Sequence, residues 1–454
     1  MEIIRDPSIL EGYLTDASNT TGWAEALVRP RSTEEVSAVL RRCQASGTPV
    51  TVTARRTSTT GAPVPHGGWL LSTERLDRIV GLNRVEAGVI LGDYQRFVAE
   101  QGMLFPPDPT SRDDSTVGAA IANNASGARS YRYGATRPWI EALDVVLPDG
   151  TIVREVTRQT PIPDDWPRID WSEPSVKTAA GYVPADNLLD LFIGQEGTLG
   201  VITRARTRLI EHPAGILSLI GFFVDQEACV QFVEAVRASA VLDPLSIEFY
   251  DHRSLALVRD RVPDIPETAR CALWIEDDYA DEPPLAAWWD ALEGGQALVD
   301  DVIVADDETG RQRLRAVRHA VPAGVNEQIV ANGMPKIGTD FAVPDAGLRE
   351  MLQRYQSVGM PSVLFGHIGD NHLHLNLLPR DAAELSRARG VYGELARAAV
   401  ALGGTVSAEH GIGKLKRGLL AEMVGPSVVD QFRALKARLD PAGVLGRGTL
   451  FAAN

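Results

Sequence analysis

TVGAAIANNASGARSYRYG, residues 116–134, concentrates small side chains more densely than core packing alone explains. Four alanines precede Gly127 in this stretch, Asn123 and Asn124 are adjacent, and Gly118 and Gly134 flank them. Small residues let a backbone come close to a bulky ligand, and the alternative is a tightly packed helix and turn. We interpret the stretch as backbone that lies against a large ligand.

Helix and strand patterns surround this stretch. Ser32 and Glu35 form a capping-box pattern, which predicts a helix that ends at Gly47. Further predicted elements are strands at 49–54 and 85–91, a helix at 92–102, a hairpin at 140–157 and a helix–turn–strand unit at 188–210. The pattern changes after about residue 211, so we expect one domain over 1–210 and another over 211–454.

The composition excludes several classes of protein. A net charge of −15 and a pI near 5.1 disfavour a nucleic-acid binder, which needs a basic face. No apolar run has the length of a membrane-spanning helix, and the first residues do not resemble a secretory signal. The three cysteines are far apart, which argues against an iron–sulfur cluster. We therefore expect a cytoplasmic protein, either free or peripheral to the membrane.

Four of the eight histidines lie within residues 367–410. In the segment HLHLNLL, strand alternation places His372, His374 and Asn376 on one face, and a turn at 369–370 can bring His367 back toward them. A second segment, TVSAEHGIGKLK (405–416), adds Glu409 and His410 after a β-like run. Converging imidazoles and a carboxylate are typical of a metal site, although satisfied surface histidines are the simpler alternative.

Two functions fit such a site. One is a metal-dependent hydrolase, in which the ion activates water, and the other is an oxidoreductase, in which the ion holds a hydroxy acid beside an organic cofactor. The Gly- and Ala-rich first half favours the oxidoreductase, because a large cofactor needs such a segment and a hydrolase does not.

Several motifs together resemble one family. They are residues 116–137, Lys177 to Tyr182 (KTAAGY), DLFIGQEGTLGVIT (190–203), GHIGD with His374 and Asn376, SAEHGIG (407–413) with Lys416, and the LDP of 439–441. The chain resembles the FAD-linked oxidases of the vanillyl-alcohol-oxidase/PCMH type, in the branch of D-lactate and D-2-hydroxyglutarate dehydrogenases and the glycolate-oxidase flavin subunit. The resemblance implies an α+β fold: an FAD-binding domain of two α+β subdomains and a C-terminal α+β substrate domain, whose last ~50 residues return toward the flavin.

The resemblance also implies which residues hold FAD. They are Arg56, Thr57, Gly61, Thr116, Gly118, Ala122, Asn123, Asn124, Ser126, Gly127, Glu196, Gly197, Gly200, Val201 and Ile202. The first loop departs from the family, because Ala54-Arg55-Arg56-Thr57 replaces consecutive glycines, and side chains at 54 and 55 restrict positive φ. An arginine there can instead pair with the pyrophosphate. The loop has no histidine at the position that bonds flavin covalently in some relatives, so we expect non-covalent FAD.

The chemistry follows from the same resemblance. It implies a divalent metal, with zinc the favoured ion, bound by His367, His374 and Glu409, and it makes His410 the general base. Arg318, Lys336 and Asn376 are implied substrate contacts. The usual Gly-Asn is replaced by Asn371-His372, which makes His372 a candidate for an extra or replacement ligand. The family spacing favours His374 as the ligand, so we expect His372 to be dispensable for metal binding.

The expected activity is oxidation of a D-2-hydroxy acid to the 2-oxo acid with hydride transfer to flavin N5. The remaining alternatives are the metal-dependent hydrolase and a non-catalytic flavin-binding subunit of a larger complex. The expected partners are a small 2-hydroxy acid and an electron acceptor such as a quinone, a cytochrome or an electron-transfer flavoprotein. A homodimer is one possible assembly. Only five of the 45 basic residues are lysines, and we interpret these as places that need a compact ammonium group.

Overall fold

A computed structural model describes residues 2–262 and 264–452. The chain divides into two compact units. The first unit comprises 1–127, 134–212 and 406–454, and the second comprises 128–133 and 213–405. The chain passes from the first unit to the second after His212 and returns to the first at Val406, whereas the sequence predicts two domains over 1–210 and 211–454. In the part of the chain that the structure describes, no helix has the length and apolar character needed to cross a membrane.

The first unit is built from short strands and helices, numbered here in chain order over the whole molecule. Its strands are β1 (Ile3–Ile4), β2 (Ala26–Val28), β3 (Val50–Thr53), β4 (Trp69–Ser72), β5 (Ile79–Gly81), β6 (Arg84–Glu86), β7 (Met103–Leu104), β8 (Ile140–Val146), β9 (Ile152–Val156), β10 (Val201–Thr207) and β11 (Ile210–Glu211). Its helices are α1 (Pro7–Glu11), α2 (Thr33–Ser46), α3 (Leu91–Ala99), α4 (Val117–Ala122), α6 (Leu188–Phe192), α13 (Arg417–Val424) and α14 (Pro426–Leu439).

These strands form two main sheets. One is a mixed four-stranded sheet in the order β1-β2-β4-β3, and the other is an antiparallel five-stranded sheet in the order β5-β6-β10-β8-β9. Helix α2 packs its buried apolar side into a core shared with both sheets, including Val146 and Val201. The expected pair of α+β subdomains is therefore confirmed.

Local signals set the bounds of α2. The Ser32 side chain accepts a hydrogen bond from the amide of Glu35, and Gly47 ends the helix with φ 64°. The predicted helix is thus confirmed at both ends. The strand predicted over 85–91 is shorter than expected, because β6 ends at Glu86 and α3 already begins at Leu91.

The C-terminal segment completes the core of the first unit. The amide of Val50 donates to the carbonyl of Val444 at 2.7 Å, and the amide of Gly446 donates to the carbonyl of Val50 at 2.9 Å. Val444 and Leu445 are fully buried in the same cluster as α2. The last residues therefore return to the sheet that carries β3.

The second unit contains one large sheet with helices. Its strands are β12 (Gly215–Phe223), β13 (Ser246–Asp251), β14 (Cys271–Tyr279), β15 (Ile303–Ala305), β16 (Ile337–Gly338), β17 (Phe341–Ala342), β18 (Ser362–His367) and β19 (His372–Leu377). Its helices are α5 (Ser130–Tyr133), α7 (Gln226–Arg237), α8 (His252–Val258), α9 (Leu285–Gly294), α10 (Glu308–Asn332), α11 (Leu348–Gln356) and α12 (Ala382–Ala401). The sheet order is β15-β12-β14-β13-β18-β19-β16, with β17 also paired to β19.

The hairpin of β18 and β19 decides which side chains share a face. A short 3-10 turn at Ile368–Asp370 joins the strands, and His367 stands opposite His372 while Phe365 stands opposite His374. The leucines at 373, 375 and 377 point to the opposite face and are buried. The strand alternation and the turn predicted from the sequence are both confirmed.

Candidate active site

The first unit contains a cleft of about 710 Å³ between its two main sheets. Its wall is formed by the loop after β3, the helix α4, the turn at 195–197 and the start of β10. These segments are rich in glycine, alanine and threonine, so their backbone can come close to a ligand. Several amides of α4 and of the turn are used within the protein, since Gly118 donates to the carbonyl of Ala87 and Glu196 donates to the carbonyl of Ala122. Amides of the loop after β3 can bind an anion such as a pyrophosphate.

Ten of the fifteen predicted cofactor residues line this cleft: Arg56, Thr57, Gly118, Ala122, Asn123, Glu196, Gly197, Gly200, Val201 and Ile202. The other five, Gly61, Thr116, Asn124, Ser126 and Gly127, lie outside its lining. Two of these five have clear local tasks. Thr116 caps α4 by accepting from the amide of Ala119 at 3.2 Å, and a Cβ on Gly127 would stand 1.9 Å from the carbonyl oxygen of Asp108.

The loop after β3 places its two arginines differently. Arg56, rather than Ala54 or Arg55, adopts the left-handed conformation, with φ 59°. Its guanidinium stacks over the ring of Tyr13 at 4.4 Å and donates to the carbonyl of Ala54 at 3.0 Å. Arg55 is exposed and also lines the cleft. Arg56 is therefore engaged by the protein, and Arg55 is better placed to meet an anion.

Glu196 is a buried carboxylate at the floor of this region. It accepts hydrogen bonds at 2.8 Å from the amides of Ile412 and Gly413, so it fixes the glycine turn that follows His410. Burial raises the pKa of Glu196 to about 7, although the two amides oppose that shift. The side chain thus titrates near neutral pH.

Four of the five lysines have largely buried side chains: Lys177, Lys414, Lys416 and Lys436. Lys414 donates to the carbonyls of Gly61 and Ala62, and burial lowers its pKa to about 8. Lys416 donates to the hydroxyl of Ser407 at 3.2 Å. In the first unit, buried lysines such as Lys414 and Lys416 therefore connect loops through hydrogen bonds.

The segment around Glu409 and His410 differs from the expectation. Residues 408–410 form bends instead of an extended run, and Nε2 of His410 lies 3.5 Å from Oε1 of Glu409. The β-like run therefore ends before Glu409, and the side chains of Glu409 and His410 approach each other. Lys177 Nζ lies 3.7 Å from Oε2 of Glu409, so the carboxylate has a cation on its other oxygen.

In the second unit, three imidazoles share one face of the sheet. The ring centroids are 5.4 Å apart for His367 and His372, 5.4 Å for His367 and His374, and 4.4 Å for His372 and His374. One nitrogen from each ring lies within 4.8 Å of the others. Imidazole nitrogens at this separation can bind a common divalent ion.

Two of the three rings, those of His367 and His374, are held by an oxygen on their far side. Nδ1 of His367 lies 2.5 Å from Oε1 of Glu248, and Nδ1 of His374 lies 3.0 Å from the carbonyl oxygen of Thr339. Histidines that ligate metals usually donate their other N–H to a carboxylate or a carbonyl in this way. The residues present therefore fit a divalent metal.

The predicted substrate residues also lie in the second unit. Lys336 Nζ donates to Oδ1 of Asn376 at 2.8 Å, and Asn376 shares the sheet face of the imidazoles. Lys336 keeps solvent-accessible surface, although the surrounding protein lowers the pKa of its ammonium group. Arg318 stacks over Trp274 at 5.1 Å and lies 3.5 Å from Oε2 of Glu248.

Sequence reasoning missed Glu248, Thr339 and Asp340. Glu248 belongs to β13, about 120 residues before His367, and reaches it only because β13 pairs with β18. Nothing in the local pattern of β13 distinguishes this glutamate. Asp340 lies in the segment that carries Lys336, but no spacing rule links it to the histidines.

Comparison with known proteins identifies the chain. Residues 213–450 match the family model for FAD linked oxidases, C-terminal domain, and residues 24–155 match an FAD binding domain. A D-lactate dehydrogenase from Anaerostipes hadrus is 31% identical over 94% of this chain and 89% of its own length. A glycolate oxidase subunit GlcD from Bacillus subtilis is 29% identical over the same shares, and a D-2-hydroxyglutarate dehydrogenase from Stutzerimonas stutzeri is 27% identical over 100% and 96%.

Solved structures agree on the fold. An alkyldihydroxyacetonephosphate synthase superposes with a TM-score of 0.69 at 17% identity, over 94% of this chain and 76% of that one. The match in fold and the two family models together account for both units. The chain therefore belongs to the FAD-linked oxidases, a family of flavin-dependent oxidoreductases.

Proposed function

We propose that this enzyme oxidises a D-2-hydroxy acid to the 2-oxo acid, with FAD as the electron acceptor and a divalent metal as an aid. The observation that carries the proposal is the sheet face of the second unit, where three imidazoles with fixed orientations stand beside the Lys336–Asn376 pair. A metal and a nearby ammonium group suit a small anionic substrate that carries a hydroxyl. Relatives named for D-lactate, D-2-hydroxyglutarate and glycolate support the same substrate class.

FAD is held in the cleft of the first unit in this proposal. The amides of the loop after β3 would bind its pyrophosphate, and Arg55 would add a positive charge. The small residues of α4 and of the turn at 195–197 would let their backbone come close to the cofactor. FAD, when bound, supplies the acceptor for a hydride at its N5 atom. The residues of the cleft bind and orient the cofactor and take no part in bond breaking.

The metal is held by His367, His374 and Glu409. A divalent ion, with zinc favoured, supplies a Lewis acid that lowers the pKa of the substrate hydroxyl when bound. Glu248 and the carbonyl of Thr339 keep the two imidazoles in the orientation that this role requires.

The protein's own groups then divide the work. Lys336 and Arg318 bind carboxylate oxygens of the substrate, and Asn376 orients the Lys336 ammonium group. His410 accepts the hydroxyl proton as general base, since its ring lies within reach of solvent and beside the Glu409 carboxylate. The hydrogen on Cα leaves as a hydride, with both electrons of its bond. Together with the hydroxyl proton, the substrate therefore loses two hydrogen nuclei and two electrons in all.

A screen of 2-hydroxy acids tests this proposal. The purified holoenzyme is mixed under anaerobic conditions with both enantiomers of each acid, and loss of the visible absorbance of the oxidised flavin is followed. We expect bleaching with D-2-hydroxy acids and none with their L-enantiomers. An artificial acceptor dye then shows whether the isolated chain turns over, and a chain that binds FAD but reduces no dye with any acid contradicts the proposal.

The same preparation tests how FAD is attached. The loop after β3 carries His66, five residues beyond Gly61, but it has no histidine at the position that bonds flavin covalently in some relatives, so we expect all flavin to leave the polypeptide on acid or heat denaturation. Flavin absorbance that remains with the precipitated chain contradicts non-covalent binding. The natural electron acceptor, a quinone, a cytochrome or an electron-transfer flavoprotein, is identified by offering each class to the reduced enzyme.

A further inference from the structure

We propose that His372 is a third imidazole ligand of the divalent metal, and that Asp340 is the residue that positions it. This inference rests on one part of the proposed function, which is that the enzyme binds a divalent metal at the histidine face. The sequence favoured two imidazoles, His367 and His374, with His372 dispensable. The geometry of the second unit points instead to a set of three.

The sheet register brings His372 as close to its neighbours as the two other rings are. His372 pairs directly with His367 across β18 and β19, and its ring centroid is 4.4 Å from that of His374. His367 and His374 are themselves 5.4 Å apart. A metal that the two predicted rings bind therefore lies within reach of the third.

The orientation of His372 matches that of a ligand. Its Nε2 lies 3.0 Å from Oδ1 of Asp340, so we assign Nδ1 as the nitrogen that would bind the metal. In His367 and His374 the Nδ1 atoms are hydrogen-bonded to Glu248 and to the carbonyl of Thr339, so their Nε2 atoms are the corresponding ligands. Two rings are thus hydrogen-bonded to an oxygen in the manner of metal-ligating histidines, and the third has a carboxylate in close contact with one nitrogen.

Burial makes an idle role costly. Asp340 and His372 are both fully buried. A carboxylate in such a place is expensive to desolvate, and a plain ion pair with the histidine often fails to offset that cost. A metal on the far side of the ring adds a positive charge that stabilises the Asp340 carboxylate through the imidazole.

The donor set has a chemical consequence. Three imidazole nitrogens favour zinc, cobalt, nickel or copper over manganese or magnesium, which prefer oxygen ligands. Exchanging one imidazole for an amide moves the set toward the harder ions. We therefore expect His372→Asn to weaken zinc binding by about 10-fold to 100-fold or more, and to weaken manganese binding less.

The experiment uses the FAD-loaded enzyme, stripped of metal with a chelator and reloaded with zinc. Calorimetric titration gives the zinc affinity of the wild type, of His372→Asn and of Asp340→Asn, and X-ray absorption at the zinc edge counts the imidazoles. We expect three imidazoles in the wild type, two in His372→Asn, and three with about 10-fold to 100-fold weaker binding in Asp340→Asn. His252→Asn, which changes an exposed histidine of the same unit, is the matched control and should bind zinc like the wild type.

The outcomes separate this inference from the proposed function. Two imidazoles in the wild type, or unchanged zinc affinity in His372→Asn, overturns the inference and leaves the proposed metal intact. A wild type that binds no divalent ion overturns the metal in both. Flavin content and thermal unfolding without metal report whether each variant is folded, and the imidazole count of the wild type decides the matter even if His372→Asn does not fold.

Discussion

The cleft of the first unit and the histidine face of the second unit are built in opposite ways. The cleft is made mostly of backbone and small side chains that follow one another along short segments, such as 116–123 and 195–202. The histidine face is made of long side chains that meet through the pairing of β13, β18 and β19. A site of the first kind can be recognised in the sequence as a dense motif, whereas a site of the second kind depends on distant residues.

The difference predicts how each region responds to mutation. Removing one side chain from the cleft leaves its backbone donors in place, so the loss of FAD affinity should be modest. Removing one of the side chains with a proposed role in metal binding or catalysis should cause a large loss of activity, because no neighbouring side chain replaces it. The following predictions test this contrast, beginning with the largest effect.

His410→Ala should lower turnover by roughly two to four orders of magnitude, because the variant lacks the general base. FAD and metal should remain bound, since His410 is a ligand of neither in the proposed function. Glu409→Ala should lose metal first and activity as a consequence, and excess divalent ion should restore part of that activity. The measurements are metal content, flavin content and the rate of anaerobic flavin reduction.

The bends at 408–410 sharpen this test, because the two side chains lie 3.5 Å apart and can influence each other. The two variants still separate the roles, since added metal can rescue only the loss of a ligand. A wild-type rate of flavin reduction in His410→Ala between pH 6 and 9 would show that His410 is not the base.

Glu196 should make the stability of the enzyme fall as pH rises toward neutrality. Its pKa is 4.5 for an ordinary glutamate and about 7 in the folded protein, so the folded state holds more protons between those values. Stability contributed by this group is therefore present below pH 4.5, declines as pH rises to about 7, and then stays constant. Across this pH range, the free energy of unfolding should fall by about 3 kcal/mol at most because of this group.

Glu196→Gln cannot ionise, and its single carbonyl oxygen can accept from one of the two amides that Oε1 and Oε2 of Glu196 accept from, those of Ile412 and Gly413. The lost hydrogen bond lowers stability equally at every pH. The stability difference between this variant and the wild type should thus change across pH 4.5–7 in favour of the variant. Denaturant unfolding at several pH values measures it. A difference that does not depend on pH would show that Glu196 does not titrate in this range.

The smallest effect is expected in the arginine pair of the cleft. Arg55→Ala should weaken FAD binding by about tenfold, or about 1.4 kcal/mol, and the weakening should shrink at high salt. Arg56→Ala should change FAD affinity less, because its guanidinium already contacts Tyr13 and Ala54. Flavin titration of the stripped protein compares them, and equal losses would contradict the different roles of these neighbours.

The sequence predicts the local parts of the molecule well. The cap at Ser32, the end of α2 at Gly47 and the alternation of β19 depend on neighbouring residues, and each is confirmed. The same alternation, together with the turn at 369–370, predicts the grouping of the histidines, and the family resemblance adds the two α+β subdomains. The bends at 408–410 were missed, because an alternating pattern does not reveal where a segment that follows a strand turns.

The parts that the sequence does not predict depend on long-range pairing. Glu248 reaches His367 through a strand pairing, and Asp340 reaches His372 from a neighbouring segment. The left-handed conformation falls on Arg56 rather than on a glycine, since Tyr13 from the first helix region supports its side chain. The local sequence around each of these residues does not predict such a contact.

The burial of the lysines has a practical consequence for chemical labelling. Amine-reactive dyes, cross-linkers and immobilisation resins usually modify the many exposed lysines of a protein surface. Here four of the five side chains are largely enclosed, and Lys336 alone among the lysines is exposed. A mild acylating reagent should therefore report on the proposed substrate site, and a bound 2-hydroxy acid should protect it.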